Sequence, residues 1–340
     1  MTPPRKNMMP SAPAPLRTRF IRHVKKNFPR IRGQRVLLAV SGGMDSMALL
    51  HLLLDIGPEQ GITPIVAHID HNLRSDSRRD ARFVDNFCQE HGLECFIEEI
   101  PKDLWKEKTG NREEVARNER YRILDKIAKR DRIRYVMTAH HRDDQVETVL
   151  MRILDRGSGL RGLAGISEVM VRNSVSYIRP LLPFPRKDIE VFMQGKRWVD
   201  DVTNADISFR RNLFRHRVIP FLEEVLGPSV GDHVVQLSDI SSGYDEVVGV
   251  ALDSFWDRHR ASARSFRYLL SREEMLSRSD RFWATALAHL IKRFRGQTFG
   301  ARAMKDIVGF LRGTAERADY YPLTIRNHGE KTIISISRRR

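Results

Sequence analysis

Cysteine is nearly absent from this chain: there are two, Cys88 and Cys95, in 340 residues. Their spacing fits neither a CxxC redox pair nor a zinc knuckle, which sets aside a disulfide scaffold and points to a reducing compartment, the cytoplasm. Long apolar runs are missing too. The longest, about Met47 to Ile56, falls far short of the ~20 residues a bilayer span needs. Acidic residues are missing from the first forty-four positions, which carry Arg5, Lys6, Arg17, Arg19, Arg22, Lys25, Lys26, Arg30, Arg32 and Arg35. Such a bias can mark a transit peptide. Against that, Met1 to Pro15 is proline-rich without an apolar core, while Phe20, Ile21, Val24 and Phe28 have helical spacing leading into a first strand. A disordered tail over 1–19 and then a basic helix are expected.

What is present is ordinary for a globular chain, with 41% hydrophobic residues and a length that suits about two domains at roughly 150 residues each. The charge is not ordinary: 59 Lys and Arg against 43 Asp and Glu leave +16. That balance favours a polyanionic partner, nucleic acid before membrane, over an evenly spread solvated surface.

Along the chain, Val36 to Val40 reads as a strand and Ile65 to Ile69 as a second, buried on both faces and therefore parallel. Gly57, Pro58 and Gly61 are expected to break the helix between them. A helix from about Ser77 to His91, a strand from Glu94 to Ile100, a helix from Arg112 to Arg130, a strand from Tyr135 to Ala139 and a helix from Asp143 to Leu154 follow. This alternation predicts an α/β, doubly wound parallel sheet of Rossmann-like type. Gly157 to Gly165 is too glycine-rich for regular structure, Val169 to Leu182 alternates like a hairpin, Arg186 to Lys196 is helical, and Phe209 to Val225 makes a basic helix interrupted at Pro220. Gly227-Pro228 reads as a linker, giving a larger domain over 20–226 and a smaller, mainly helical one over 227–340. In the latter, Val234 to Phe255 and Arg281 to Phe294 are helical and Tyr321 to Ile336 strand-like. The stripe Phe282, Trp283, Ala286, Leu287, Leu290, Ile291 and Phe294 reads as core rather than a base-stacking platform.

The segment with the most chemistry is Ser41-Gly42-Gly43-Met44-Asp45-Ser46, between the first strand and a helix. Its glycines let amides approach an anion without a Cβ in the way, and the helix points its positive end at the same place. Together they suit a phosphate. Asp45 would repel one unless a cation lay between, so its expected role is to hold Mg²⁺. The Lys of a GxxxxGK[ST] loop is absent. The competing reading is a tight turn in which Ser41 and Asp45 only cap the helix.

That string resembles the PP-loop of the N-type ATP pyrophosphatases. Within them, the chain resembles the tRNA(Ile)-lysidine synthetases through Ala67 to Arg74 with Ser75 and Ser77, and through Asn111 to Arg117 with Arg120-Tyr121. Thr138 to Thr148 joined to Arg152 and Arg156 to Leu163, then Arg179 to Leu182, Trp198 to Asn204, and Arg211-Asn212 with Arg215 carry the rest. The motifs run in family order over about 20–220. Asn72 stands at a usual Gly, which Asn can replace at a left-handed backbone position, and Thr203 at a usual Ser. The pattern from Arg281 to Leu311 resembles the family's first C-terminal domain, and the further C-terminal domain of long members is not expected.

The resemblance implies an enzyme, a carbon–nitrogen ligase. It would join L-lysine to carbon 2 of the wobble cytidine of tRNA(Ile) with a CAU anticodon, through an adenylated cytidine, releasing AMP and diphosphate. It implies ATP and Mg²⁺ bound at Ser41, Gly42, Gly43, Met44, Asp45 and Ser46, with Asp45 on the metal. Asp144 and Glu147 would take the lysine amine, and His140 the phosphate or proton-handling side. Arg112, Arg117, Arg120, Arg211 and Arg215 are candidates for tRNA phosphates, as are Lys292 and Arg295 in the C-terminal part. A homodimer is among the assemblies it allows. Read without the resemblance, Asp143-Asp144 could complement the helix dipole, Glu147 could pair with Arg152, and His68 could be core. The rivals are a 2-thiocytidine synthetase, for which Cys88 and Cys95 lack the spacing, a glutamine-dependent amidotransferase without an apparent glutaminase nucleophile, and a non-catalytic RNA-binding protein on a dead nucleotide fold.

Overall fold

The computed structural model describes residues 14–72, 77–101, 112–154, 160–200, 207, 210–262, 266–295, 299, 301–313, 316–321 and 323–337. The chain divides into two compact units, Met1–Asp239 and Ile240–Arg340. Most of the tail expected over 1–19 lies outside the described residues. The basic helix α1 (Leu16–Asn27) already begins at Leu16 and buries Leu16, Phe20 and Val24, so the expected boundary at 20 falls too late.

Hydrophobic alternation builds the first unit. In β1 (Arg35–Ala39), Val36 and Leu38 point into one core and Leu37 into another, all three fully buried. Around it lie α2 (Met44–Gln60), β2 (Thr63–Asp70), α3 (Ser77–Glu90), β3 (Cys95–Glu99), α4 (Arg112–Arg130), β4 (Tyr135–Met137), α5 (Arg142–Leu154), α6 (Leu160–Leu163), β5 (Val169–Arg172), β6 (Val175–Ile178) and α7 (Arg186–Met193). Helices α1, α2, α3 and α7 cover one face and α4 the other, so the sheet is doubly wound. Strand order is β3-β2-β1-β4-β6-β5, parallel except for the edge strand β5, which pairs antiparallel with β6. Because β2 and β4 flank β1 on opposite sides, the order reverses there. A crevice opens beyond the carboxyl ends of β1 and β4, where open α/β sheets place their ligands.

Some local expectations need correction. Helix α2 runs through Gly57 and Pro58 and stops at Gly61, at φ +64°. Pro58 lies in the last turn, and a Cβ on Gly57 would meet the Ile62 carbonyl at 2.9 Å, so glycine serves packing there rather than helix breaking. The glycine-rich stretch holds one helical turn, α6, while 155–159 lie outside the described residues. Residues 210–226 are helical throughout: α8 (Arg210–Leu213), a π-helical turn (Phe214–Val218) and α9 (Ile219–Leu226). Pro220 is in the first turn of α9, where its missing N–H costs least. The irregularity is the π-turn before it, which contains His216, the residue whose carbonyl the proline ring would crowd in a regular helix. Gly227, at φ +95°, turns the chain into the long helix α10 (Val230–Arg258).

The second unit holds β7 (Arg267–Ser271), α11 (Arg272–Ser277), α12 (Asp280–Arg295), α13 (Ala301–Arg312), β8 (Arg317–Tyr320), β9 (Leu323–His328) and β10 (Lys331–Ile336). The stripe of α12 is core, with Trp283, Ala286, Leu287 and Leu290 fully buried and Trp283 donating from Nε1 to the Met275 carbonyl at 2.9 Å. Unexpected is a four-stranded antiparallel sheet, order β7-β10-β9-β8, of which the sequence pattern signals only β9 and β10. No helix among the described residues is long and apolar enough to cross a membrane.

Candidate functional site

The SGGMDS loop leaves the end of β1 at the crevice. Gly42 takes φ +90°, its carbonyl accepts from the Val199 amide at 2.9 Å, and its Cα faces Val84 and Val199. Ser46 Oγ ties the loop by donating to the Gly43 carbonyl at 2.9 Å, and Ser41 Oγ accepts from the Gly43 amide at 3.3 Å. The N-cap of α2 is Gly43, with no capping side chain. Asp45 is therefore not a cap. Its Oδ1 is buried and accepts no hydrogen bond, a donor-free oxygen suited to a cation. Gly42→Ala is expected to cost about 1–2 kcal/mol, the penalty of a Cβ at left-handed φ. Urea unfolding of the full chain measures this, and an unchanged midpoint would mean the loop relaxes freely.

Across the crevice, β4 leads into Thr138-Ala139-His140-His141 and then α5. The two histidines are set to opposite protonation states. His140 shares a 2.9 Å hydrogen bond between Nδ1 and Thr138 Oγ1. Burial, reinforced by Arg179, Arg120 and Arg211, pushes its imidazole down to about 3 against the pull of Asp144. His140 is thus neutral. His141 is fully buried, with Nε2 3.5 Å from Asp45 and 3.6 Å from Asp144, and Nδ1 3.6 Å from Asp143. Burial would lower it, but Asp144, Asp143 and Asp45 outweigh that and raise it to about 10. An imidazolium therefore links the loop carboxylate to α5. The sequence singles out His140 and leaves His141 as structural. The signal for His141 is the acidic pair two and three residues downstream, which returns toward the ring across the first turn of α5.

Asp144 and Glu147, three apart on α5, share one side of the helix and are both buried. Arg211 and Arg215, four apart on α8 and the π-turn, meet them two against two. Arg211 donates from Nη2 to Asp144 Oδ1 at 2.7 Å and from Nε to Glu147 Oε2 at 2.6 Å. Arg215 donates from Nε to Glu147 Oε1 at 2.6 Å and from Nη2 to Asp144 Oδ1 at 3.3 Å. The remaining Asp144 oxygen accepts from the His141 amide at 2.9 Å. Burial works to raise Asp144, but the charged His141 and Arg211 hold its carboxyl down at about 2.

These groups surround one cavity of about 260 Å³, lined by Ser41, Asp45 and Ser46 from the β1 side and by His140, Asp144, Arg117, Arg120 and Arg211 from the other. His71, Thr138 and Ala139 line it too, and the sequence alone does not single them out as site residues. Glu147 and Arg215 are not among the lining residues, and the half-buried Met44 side chain packs against the hydrophobic core. His68 is buried and bonds from Nδ1 to the Val40 carbonyl at 3.0 Å, a core histidine. Asn72 takes φ +52°, the left-handed conformation expected of a glycine substitute. The side chains of Arg112, Arg161 and Arg295, the motif residues 73–76 and 201–204, and Asn111 lie outside the described residues. Lys292 is exposed on α12 in the second unit. Among the described residues no group of three or more His, Cys, Asp or Glu is placed to hold a metal ion. A cation at Asp45 would accordingly draw its other ligands from phosphates and water, as Mg²⁺ commonly does.

A family model described as a PP-loop domain, ATP_bind_3, matches residues 16–222. A tRNA(Ile)-lysidine synthase of Thermotoga sp. (strain RQ2) is 36% identical over 246 residues, 72% of this chain and 58% of that one. The synthase of Chlorobaculum tepidum is 31% identical over 317 residues, 88% of this chain and 90% of that one. The chain spans 58% of the Thermotoga relative and 48% of one from Thermosipho africanus. Among solved structures, the U34-tRNA thiolase NcsA of Methanococcus maripaludis with its 4Fe–4S cluster has a TM-score of 0.54 at 17% identity, covering 65% of this chain and 78% of that one. That likeness shows the fold.

Proposed function

The chain belongs to the PP-loop family of tRNA(Ile)-lysidine synthases, and from that premise we propose that it ligates L-lysine to carbon 2 of the wobble cytidine of tRNA(Ile) with a CAU anticodon. In the first step cytosine O2 attacks the α-phosphate of ATP and diphosphate leaves. In the second the ε-amine of lysine attacks ring carbon 2, the bond to O2 breaks, and AMP departs with that oxygen. The observation that carries this reading is a cavity that brings the SGGMDS loop and Asp45 together with His140, Asp144 and Arg211.

The loop amides and the N-terminus of α2 would receive the phosphates. Asp45 would hold Mg²⁺, which when bound offsets charge on the diphosphate. An unperturbed lysine amine has a pKa near ~10.4 and arrives as an ammonium, so a carboxylate site is required to bind and deprotonate it. Asp144 and Glu147 supply two carboxylates beside the cavity. Neutral His140 suits hydrogen bonding to the nucleotide or base better than charge neutralisation. A thiolase reading finds less support, since Cys88 and Cys95 pack with the core on the α3 side and neither lines the cavity. The deciding experiment is incubation with ATP, labelled lysine and bulk tRNA. Label in a wobble nucleoside supports the proposal, while label esterified at the acceptor end, or none, overturns it.

The second unit is proposed to grip the tRNA body. Arg293 bridges Asp253 and Asp257 at 3.1 and 3.4 Å and is committed within the protein, so the expected contacts are Lys292, Arg302 and Lys305. Replacing these three by Ser is expected to weaken tRNA binding at low salt and to flatten the slope of log affinity against log salt by up to about 0.7–0.9 for each phosphate no longer neutralised. Filter binding across a salt series measures both. Unchanged affinity and slope would move recognition to the basic segment from Arg210 to Arg217.

A further inference from the structure

Every oxygen of the two carboxylates assigned to the lysine amine is already engaged. Asp144 Oδ2 is held by the His141 amide, and the other three oxygens by Arg211 and Arg215. The four side chains form a neutral square, two charges of each sign, around a Glu147 only 1% exposed. An arriving ammonium would leave an uncompensated positive charge there, which is costly away from water. Neutrality returns only if one guanidinium leaves.

The two arginines are not equivalent. Arg211 lines the cavity and Arg215 does not, and the Arg211 side chain is 35% exposed against 20% for Arg215. The backbone beneath them is pinned, because Phe214 packs against Val146 and Leu150 of α5. Exchange therefore needs only rotation of a side chain. The cavity that Arg211 faces is the one a phosphate chain would fill, and an anion there offers the guanidinium a second partner of equal charge.

We propose that Arg211 is an exchangeable occupant of the amine site, holding Asp144 and Glu147 while the cavity lacks a nucleotide and transferring to the phosphate chain when ATP enters. The carboxylates are thereby released to lysine only once ATP is in place, which sets the order in which the substrates bind. This rests on the reading of Asp144 and Glu147 as the amine site. Its thermodynamic consequence is reciprocal: ATP strengthens lysine binding, and lysine strengthens ATP binding by the same factor.

The test is equilibrium dialysis of labelled lysine against the full chain without tRNA, with and without saturating ATP and Mg²⁺. The wild-type dissociation constant for lysine is expected to fall by about fivefold or more with ATP, the lower end of usual coupling. Arg211→Gln should bind lysine without ATP nearly as tightly as the wild type does with it, and should no longer respond to ATP. Arg211→Lys, which keeps the charge, should recover part of the response and so separates charge exchange from misfolding. A wild-type lysine affinity indifferent to ATP, or an Arg211→Gln variant with the wild-type response, overturns the exchange. The underlying reading fails separately, if Glu147→Gln binds lysine as tightly as the wild type in both conditions.

Discussion

Asp45→Asn is expected to lower formation of AMP and diphosphate by at least about a hundredfold, the usual scale for removing one group that stabilises developing charge, while leaving the fold intact. The substitution keeps the shape of the side chain and removes its charge. Since the N-cap of α2 is Gly43, no capping interaction is removed, and the stability penalty of roughly 0.5–2 kcal/mol for a deleted cap is not expected. His141 loses one of three carboxylate neighbours but keeps Asp143 and Asp144. Diphosphate release with tRNA, ATP and a Mg²⁺ series measures the effect, alongside thermal unfolding. Partial recovery at high Mg²⁺ would identify the missing function as metal holding. Near-normal turnover at ordinary Mg²⁺ would sink the role of Asp45, and a loss of stability matching the loss of activity would restore the capping reading.

The first unit is legible because its signals are local. Continuous apolar strands such as Ile65 to Ile69, the helical run from Arg112 to Arg130 and the strand–SGG–helix junction each declare themselves within about a dozen residues, and their alternation leaves few topologies. The second unit is less so. Strand β7 is five residues of alternating burial flanked by arginines, and β8 is four, so tertiary pairing with β9 and β10 rather than propensity makes them strands. At the site, residue types are readable and partnerships are not. Arg211 and Arg215 read from sequence as phosphate contacts, but in the fold they turn toward Asp144 and Glu147, more than sixty positions upstream. His141 differs from His140 only by facing three carboxylates instead of Thr138 and a wall of arginines. The acidic pair Asp143-Asp144 follows both histidines in sequence, and only the fold decides that it closes on His141.

Glu147→Gln and Asp144→Asn are expected to permit adenylation of the tRNA but to slow lysine transfer by about a hundredfold or more, so that an adenylated tRNA accumulates, because the first step uses no amine. The structure adds a complication. Each change leaves Arg211 and Arg215 short of a partner, and breaking a buried pair costs about 3–5 kcal/mol. The guanidiniums are 20–35% exposed and the amides keep an acceptor oxygen, so the expected loss is below that range. Asp144 also fixes a pH signature. Its carboxyl lies at about 2 in the fold against 3.8 ordinarily, so its stabilising contribution is complete above about pH 4 and disappears as the pH falls through 2. Asp144→Asn should remove that acid limb from the unfolding profile. For the chemistry, Glu147→Gln is the cleaner variant, because Asp144 lines the cavity with Asp45 whereas Glu147 does not. If both variants reduce diphosphate release and lysine transfer equally, at unchanged stability, both carboxylates belong with ATP and the division of labour across α5 is wrong. If diphosphate release persists while lysine transfer stops, Glu147 serves the amine step and the nucleotide half of the cavity works without it.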